Sequence, residues 1–169
     1  MLIVETTIAA GEWGAAVDWA ALAARACDAA LAQTPHAGIA QTRFEVEVSV
    51  RLSDDAEVKQ LNSQYRHKDM PTNVLSFPLV QPDLIEALAD TDDGETLLGD
   101  IVLASETVAS EAAAQQIAVD AHATHLIVHG MLHLLGYDHG DDLQADHMEE
   151  LETAACATLG LADPYATAK

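Results

Sequence analysis

The amino-acid sequence predicts an α+β fold, in which helices pack on a small sheet. Short β-branched segments and alanine-rich segments of helical period follow each other along the chain. Residues 44–52 alternate apolar and polar side chains, as a strand with one solvated face does. The 169 residues are 50% hydrophobic, enough to bury one core. We therefore expect residues 1–169 to form a single domain.

The first elements follow from local patterns. Residues 2–9 are rich in β-branched side chains and predict a strand, and residues 15–33 predict an alanine-rich helix. After the strand over residues 44–52, Ser53 is suited to cap a second helix. Val58, Leu61 and Tyr65 are expected to share one face of that helix.

Two further strands are predicted over residues 73–77 and 98–104. Residues 81–95, between them, are acidic and are interrupted by Pro82 and Gly94. This composition is typical of a mobile surface loop. A contact with a partner is the alternative use of this segment.

Three more helices are expected in the last part of the chain. Ser105 and Asp120 are suited to cap the third and fourth helices. The last helix is predicted over residues 142–159 and should end at Gly160. Its inner face is expected to carry Leu143, Met148, Leu151 and Ala155.

Cysteine usage and the chain start indicate a cytoplasmic protein. Cys27 and Cys156 lie far apart in alanine-rich helical segments, which favours buried free thiols over a disulfide framework. The first residues lack the basic region and apolar run of a signal peptide. No stretch approaches the ~20 apolar residues of a membrane span.

Three histidines with the spacing of metal ligands form the most informative pattern. His129 and His133 are four residues apart, so on a helix they point the same way. Gly136 follows where the helix can stop, and the chain can then turn and return His139 to the same point. Three imidazoles leave one position of a tetrahedral zinc open, as in catalytic sites. The pattern predicts one catalytic Zn²⁺ per chain, with water at the open position ionising near neutral pH.

A simpler interpretation exists for all the histidines of this segment: they could be polar residues of a half-buried helix, bonded to backbone or water. The glycine and the third histidine disfavour this interpretation for His129, His133 and His139. His122 and His125 lie too far along the helix to share their metal. A structural role is favoured for both, and orientation of a metal ligand is the alternative.

The residue after the first histidine disfavours one class of zinc enzyme. The spacing His-x-x-x-His-x-x-Gly-x-x-His matches an extended zinc protease motif, in which a glutamate follows the first histidine as general base. This chain has Gly130 at that position. A peptidase is therefore disfavoured.

Three colinear segments form a longer pattern: residues 62–78 (NSQYRHKDMPTNVLSFP), 98–101 (LGDI) and 129–139 (HGMLHLLGYDH). Together they resemble the YbeY family of bacterial zinc-dependent endoribonucleases. The resemblance implies cleavage of single-stranded RNA, with roles in maturation of the 16S ribosomal RNA 3′ end and in ribosome quality control. It also implies a sheet of about four strands, one antiparallel, with zinc at the end of a cleft.

The resemblance implies roles for particular residues and partners. His129, His133 and His139 would bind zinc, and Arg66 would be a functional basic residue in the cleft. Ribosomal RNA and the small ribosomal subunit or its assembly proteins would be partners, whereas no membrane or DNA partner is expected. Asp138 could orient an imidazole or hold a water, and the role of Asp100 stays open.

Arg66 also has a physical case of its own. Its guanidinium offers a planar fork of donors that suits phosphate, although a solvated loop equally explains this polar segment. Metal-assisted phosphodiester cleavage is the expected mechanism, either by water or by the neighbouring 2′-hydroxyl. The rivals are a zinc hydrolase of peptides or amides and a ribosome assembly factor with a structural zinc.

The charge balance conflicts with a general nucleic-acid binding surface. There are 28 Asp and Glu against 7 Lys and Arg, a formal net charge of −21, and residues 69–168 contain no Lys or Arg. RNA binding normally depends on basic groups that neutralise phosphates. Three explanations remain open: a locally positive cleft, a basic protein that docks on the acidic surface and delivers RNA, or an acidic proteome of a salt-adapted organism.

Overall fold

The computed structural model describes residues 1–90 and 94–166, and a four-stranded mixed sheet lies at its centre. The strands are β1 (Leu2–Ile8), β2 (Glu45–Ser53), β3 (Val74–Pro78) and β4 (Glu95–Ala104). Their order across the sheet is β1-β2-β4-β3. The first three in that order are parallel, whereas β3 is antiparallel to β4. The predicted α+β fold, with one antiparallel strand among four, is confirmed.

Six α-helices and a short 3-10 helix surround the sheet in the described part of the chain. The α-helices are α1 (Trp19–Ala32), α2 (Asp55–Arg66), α3 (Pro82–Leu88), α4 (Ser105–Gln115), α5 (Val119–Leu134) and α6 (Asp142–Thr158). The 3-10 helix spans Ala37–Gln41. Among the residues described, no helix combines the length and apolar character that crossing a bilayer requires.

The strand alternation places the main core on one face of the sheet. Val46, Val48 and Val50 of β2 are fully buried and pack in one cluster with apolar side chains of α1, α5 and α6. The opposite face carries a smaller cluster, in which Val58 of α2 packs against Val102 of β4. Since α2 covers only part of this face, the polar side chains of β2 and β4 remain accessible beside it. Cys27 and Cys156 are free and buried, as expected.

The predicted loop over residues 81–95 is wrong over residues 82–88, which form α3. Pro82 occupies the first turn of that helix, where its missing N–H costs nothing. Ile85 is fully buried and anchors the helix in the main core. Residues 91–93 of the segment lie outside the described residues. The acidic composition concealed a short helix whose Ile85 and Leu88 pack against the main core.

Three predicted helix caps are displaced by one or two positions. Asp54, rather than Ser53, caps α2 by accepting a hydrogen bond from the Glu57 N–H at 2.9 Å. Ser105 is already the first residue of α4, and its hydroxyl donates to the Glu106 carboxylate. Asp120 lies in the first turn of α5, so its carboxylate interacts with the helix dipole instead of capping.

Helix bounds near the ends also differ in detail. α1 begins at Trp19 rather than at residue 15, because the Asp18 side chain accepts from Ala21 N–H and starts the helix there. Gly160, with φ +77°, follows α6 as predicted. Leu143 is wrong as an inner residue: it is 82% exposed, because the first turn of α6 lies outside the core. Met148 and Ala155 are buried as expected.

Gly99 brings α5 close to the sheet. A Cβ added there would lie 2.5 Å from the Phe77 carbonyl oxygen and 2.6 Å from Leu134 Cδ2, at the end of α5. Gly99→Ala is therefore expected to lower the free energy of unfolding by about 1–3 kcal/mol, measured by urea denaturation of the metal-free protein. Gly38→Ala, whose nearest contact would be an ordinary 3.7 Å, is the control and should change stability by less than about 0.5 kcal/mol. Equal losses in the two variants would contradict the close approach.

Candidate metal centre and cleft

The structure brings together the three histidines predicted as metal ligands, here called the histidine trio: His129, His133 and His139. α5 presents the first two, and their Nε2 atoms lie 3.0 Å apart. Gly136, with φ +98°, turns the chain after α5 and returns His139, whose ring centroid lies 5.0 Å from that of His133. One ligand nitrogen of each histidine lies within 4.8 Å of the others. Nitrogens bound to one zinc are about 3.3 Å apart, so the trio fits a shared ion.

Hydrogen bonds of the other ring nitrogens determine the tautomers of two of these histidines. His133 Nδ1 lies 2.9 Å from the Tyr137 carbonyl oxygen, which can only accept, so Nδ1 carries the proton. His129 Nδ1 lies 2.9 Å from the Glu152 carboxylate, which likewise accepts. When both rings are neutral, as metal ligands are, the two Nε2 atoms present lone pairs to each other at 3.0 Å. Two facing lone pairs repel, and a cation between them converts this repulsion into ligation.

Burial keeps His133 in the protonation state that a metal requires. Burial, together with the nearby His129, lowers the pKa of His133 to about 4, so its imidazole is neutral at pH 7. Burial of Glu152 by itself would raise the pKa of its carboxyl, but donation from His125 and His129 outweighs it and lowers this pKa to about 2. The carboxylate is therefore ionised and acts only as an acceptor.

Glu152 is the residue of the site that the sequence pattern did not indicate. It lies 23 positions after His129, in an acidic helix where neighbouring carboxylates are exposed. Its side chain is only 1% exposed and also accepts from His125 Nε2 at 2.9 Å. The signal that could have found it is its spacing from Met148, Ala155 and Cys156, which makes it a charged residue on the buried face of α6.

The remaining histidines lie apart from the trio. His122 is buried and its Nε2 lies 2.8 Å from the Glu111 carboxylate of α4, in agreement with a structural role. His125 contacts Glu152 and so reaches His129 indirectly. His147 is exposed on α6.

Arg66 is held at the end of α2 beside the histidine trio. The buried Asn62 side chain donates to the Met70 carbonyl at 2.9 Å and so ties the loop after α2 back to the helix. The Arg66 guanidinium donates from Nη2 to the Ser76 carbonyl at 2.6 Å and lies 5.6 Å from the centroid of the Phe77 ring. Among the contacts within residues 1–90 and 94–166, one of its N–H groups donates a hydrogen bond, and the side chain is exposed.

Two hollows meet at Arg66. The first, here called the cleft, has a volume of about 770 Å³ on the open face of the sheet. Its lining includes Ser49, Arg51, Tyr65, Arg66, Phe77 and Asp100. The second, here called the histidine pocket, has a volume of about 420 Å³ and is lined by Arg66 together with His133, Tyr137, Asp138 and His139. A ligand that extends from the cleft to the histidines therefore passes the Arg66 guanidinium.

Asp138 and Asp100 have different surroundings. The exposed Asp138 carboxylate accepts from the His139 backbone N–H at 2.8 Å and lies 3.6 Å from His139 Nδ1. It thus shapes the turn that presents His139. Asp100 projects from β4 into the cleft, where its register partners are Ser49 of β2 and Phe77 of β3.

Packing at Gly130 explains why this histidine motif carries no glutamate. A Cβ at this position would lie 3.0 Å from Ile101 Cγ2, and Ile101 is fully buried in β4. The carboxylate of a longer side chain would be driven into the sheet, where it would be unpaired. The packing of α5 on β4 therefore disfavours a glutamate at this position.

Four of the seven Lys and Arg lie within residues 51–68. Two of them, Arg51 and Arg66, line the cleft, and Arg66 also lines the histidine pocket. Arg51 is paired with Glu57 through two hydrogen bonds of 2.5 and 2.9 Å. Arg66 is therefore the basic side chain that both hollows share.

Comparisons with known proteins show which family this chain resembles. The sequence model described as endoribonuclease YbeY matches residues 15–160. The chain is 61% identical to endoribonuclease YbeY of Sphingopyxis alaskensis over 166 residues, 98% of each chain. It is 57% identical to the endoribonuclease YbeY of Rhizorhabdus wittichii over 155 residues, 92% of each chain.

A solved structure supports the fold. The solution structure of a Thermotoga maritima protein matches with a TM-score of 0.53 and 21% identity, over 100% of this chain and 96% of that one. At this identity the likeness concerns the fold alone. The family assignment depends on the sequence matches, which cover nearly the whole chain. The chain belongs to the YbeY family of endoribonucleases.

Proposed function

We propose that residues 1–169 form one zinc-dependent endoribonuclease domain that cleaves single-stranded RNA during maturation of ribosomal RNA, including the 16S 3′ end. Family membership supports the nuclease activity. The observation that carries the metal assignment is the convergence of imidazole lone pairs in the histidine pocket, beside Arg66. Because ribosomal RNA is processed where ribosomes assemble, the proposed location is the cytoplasm.

Zinc is the metal that best matches these ligands. Three neutral imidazoles without a sulfur ligand are typical of catalytic zinc, which keeps a further position open. Nickel and copper also accept imidazoles, so metal analysis of the purified protein is the direct test. A bound zinc would polarise a phosphate oxygen and lower the pKa of a water molecule.

Arg66 is proposed to hold the scissile phosphate. Its guanidinium lies between the cleft and the histidine pocket, and the bond to the Ser76 carbonyl restricts its orientation. The remaining N–H groups can donate to the phosphate oxygens, whose charge grows in the transition state. Because the donor is restrained before the substrate arrives, little reorganisation is needed during the reaction.

Aromatic rings in the cleft support the preference for single-stranded RNA. Tyr65 is 60% exposed and its ring makes an edge contact with Phe77, with centroids 5.6 Å apart. An unpaired base can stack on such a ring, whereas a base inside a duplex cannot. The cleft would thus hold a nucleotide beside the phosphate that Arg66 contacts.

Tyr65→Ala is expected to weaken binding of a single-stranded RNA oligonucleotide by about 1–3 kcal/mol, roughly 5- to 150-fold in Kd. Fluorescence anisotropy with a labelled oligonucleotide at fixed salt measures this Kd. Tyr65→Phe keeps the ring and is the control, with an expected affinity near that of the wild type. Equal affinity of Tyr65→Ala and wild type would refute stacking at this position.

The attacking group is either water or the 2′-hydroxyl next to the scissile phosphate. Attack by the 2′-hydroxyl leaves a 2′,3′-cyclic phosphate and requires RNA, whereas attack by water does not. Mapping the product ends separates the routes. Equal cleavage of a DNA oligonucleotide would exclude the 2′-hydroxyl route.

The acidic surface favours a substrate that is delivered by a partner. With a net charge of −21, the protein repels RNA except near its few cations. The small ribosomal subunit or a basic assembly protein is the proposed partner, since its positive groups would complement this surface. Salt-dependent co-sedimentation with small subunits tests the contact.

The test of the whole proposal combines metal analysis with RNA cleavage. Purified protein should hold about one zinc per chain, should lose cleavage of single-stranded RNA after chelation, and should regain it on addition of zinc. Retention of full cleavage by metal-free protein would contradict zinc dependence. Digestion of casein by nuclease-free preparations would instead support the peptidase alternative.

A further inference from the structure

Glu152 accepts three hydrogen bonds at the back of the histidine trio. Its Oε1 lies 2.9 Å from His129 Nδ1 and 2.9 Å from His125 Nε2, and its Oε2 accepts from the Tyr165 hydroxyl at 2.8 Å. A buried carboxylate is costly unless its lone pairs are satisfied. The three donors come from α5 and from the segment after α6, so the carboxylate joins two parts of the chain around one ligand.

The position of Glu152 in α6 is one that an apolar residue would normally occupy. Met148, Ala155 and Cys156 share its buried face, and the carboxylate itself is 1% exposed. A solvated glutamate at this position would need no explanation, but a fully buried one that contacts a candidate ligand does. Leucine or methionine would stabilise the apolar packing of α6 at this position better than glutamate does.

We propose that Glu152 is a positioning residue for the metal: it holds the His129 ring in the tautomer and orientation that aim Nε2 at the position shared by the histidine trio. The inference rests on the metal site of the proposed function. Donation from Nδ1 to Glu152 leaves the lone pair on Nε2, and two further donors prevent the carboxylate from rotating. Tyr165 supports the arrangement from the chain segment after α6.

The three histidines differ in how their second ring nitrogen is held. A backbone carbonyl, that of Tyr137, holds His133. His139 is exposed, with the Asp138 carboxylate 3.6 Å from its Nδ1. Among the described residues, Glu152 is therefore the side chain that lies within hydrogen-bond distance of the second ring nitrogen of a trio histidine.

A matched pair of substitutions tests the proposal. Glu152→Gln keeps the shape of the side chain but replaces an acceptor oxygen by an amino group, and is expected to weaken binding of Zn²⁺ and Co²⁺ by about 10- to 100-fold. Competition with a chromophoric chelator measures the affinity, and the visible spectrum of the Co²⁺ protein reports the ligand geometry. Glu111→Gln makes the same change at His122, about 10 Å along α5 from His129. It should leave metal affinity within about twofold of the wild type.

A second measurement covers the case in which Glu152→Gln does not fold. Long-range proton–nitrogen NMR of metal-free wild-type protein at pH 8 should show His129 with its proton on Nδ1. A proton on Nε2, or wild-type metal affinity in a folded Glu152→Gln protein, would overturn the proposal. Neither measurement uses RNA, so a protein that binds metal through this arrangement but cleaves no RNA would refute the proposed nuclease activity alone.

Discussion

His133→Ala protein is expected to lose stoichiometric zinc and, with it, RNA cleavage. Two imidazoles remain, one of them exposed, and the loss of a direct ligand should exceed the roughly 100-fold effect of losing an outer partner. Metal content after dialysis against metal-free buffer should fall from about one to below about 0.1 per chain. Cleavage of a single-stranded RNA should fall by more than about 100-fold under the same conditions.

His147→Ala is the control, because His147 is exposed on α6 and lies outside the trio. Its zinc content and cleavage should equal those of the wild type. Stoichiometric zinc in the His133→Ala protein would contradict the ligand assignment.

His133 should make the stability of the metal-free protein depend on pH. Its pKa in the folded state, about 4, lies below the ordinary 6.5, so between these values the unfolded chain binds more protons than the folded one. Stability of the metal-free wild type should therefore fall as the pH is lowered from about 6.5 to 4. His133→Ala should reduce this dependence, which urea denaturation at several pH values can measure.

Arg66→Ala is expected to leave the fold and the metal in place but to lower kcat/KM for RNA by about 10²–10³-fold, as removal of one transition-state donor does. The side chain is exposed, so little packing is lost. Arg66→Lys should recover only part of the activity, because an ammonium lacks the planar fork. Single-turnover cleavage measures the activity of the two variants, and metal analysis measures their zinc content.

Arg43→Ala removes an exposed arginine elsewhere and should leave cleavage unchanged apart from a small effect of net charge. Normal function of Arg66→Ala in cells, with destabilisation of His133→Ala alone, would favour the rival in which zinc supports only the fold of an assembly factor. The enzyme proposal requires the opposite pattern.

How much of this site could be predicted depends on how far apart its residues lie along the sequence. His129 and His133 are one helical turn apart, and a glycine turn connects them to His139, so local geometry was enough. Arg66 required the resemblance, since nothing in its own segment indicates that α2 and β3 bring it to the histidines. Glu152 could not be assigned, because its partner is 23 residues away and depends on how α6 packs against α5.

The fold was predicted best where buried residues recur at regular spacing along a helix or strand. The alternation over β2 identified a strand, and its buried valines form the core face. α3 was missed because it is only 7 residues long, and the side chains that pack on the core, Ile85 and Leu88, are too few to show a helical period in an acidic segment. The caps of α2, α4 and α5 were displaced because several polar residues near each start are chemically suitable, and only the backbone geometry selects among them.

The contact between Gly130 and Ile101 has a consequence for the evolution of the active site. A single nucleotide change can turn a glycine codon into a glutamate codon, so mutation readily supplies the residue that a protease of this ligand spacing needs. The close packing of α5 on β4 opposes that residue, and a smaller side chain at position 101 would relieve the contact. In this chain, packing behind the histidine helix thus opposes the protease chemistry that the ligand spacing alone would permit.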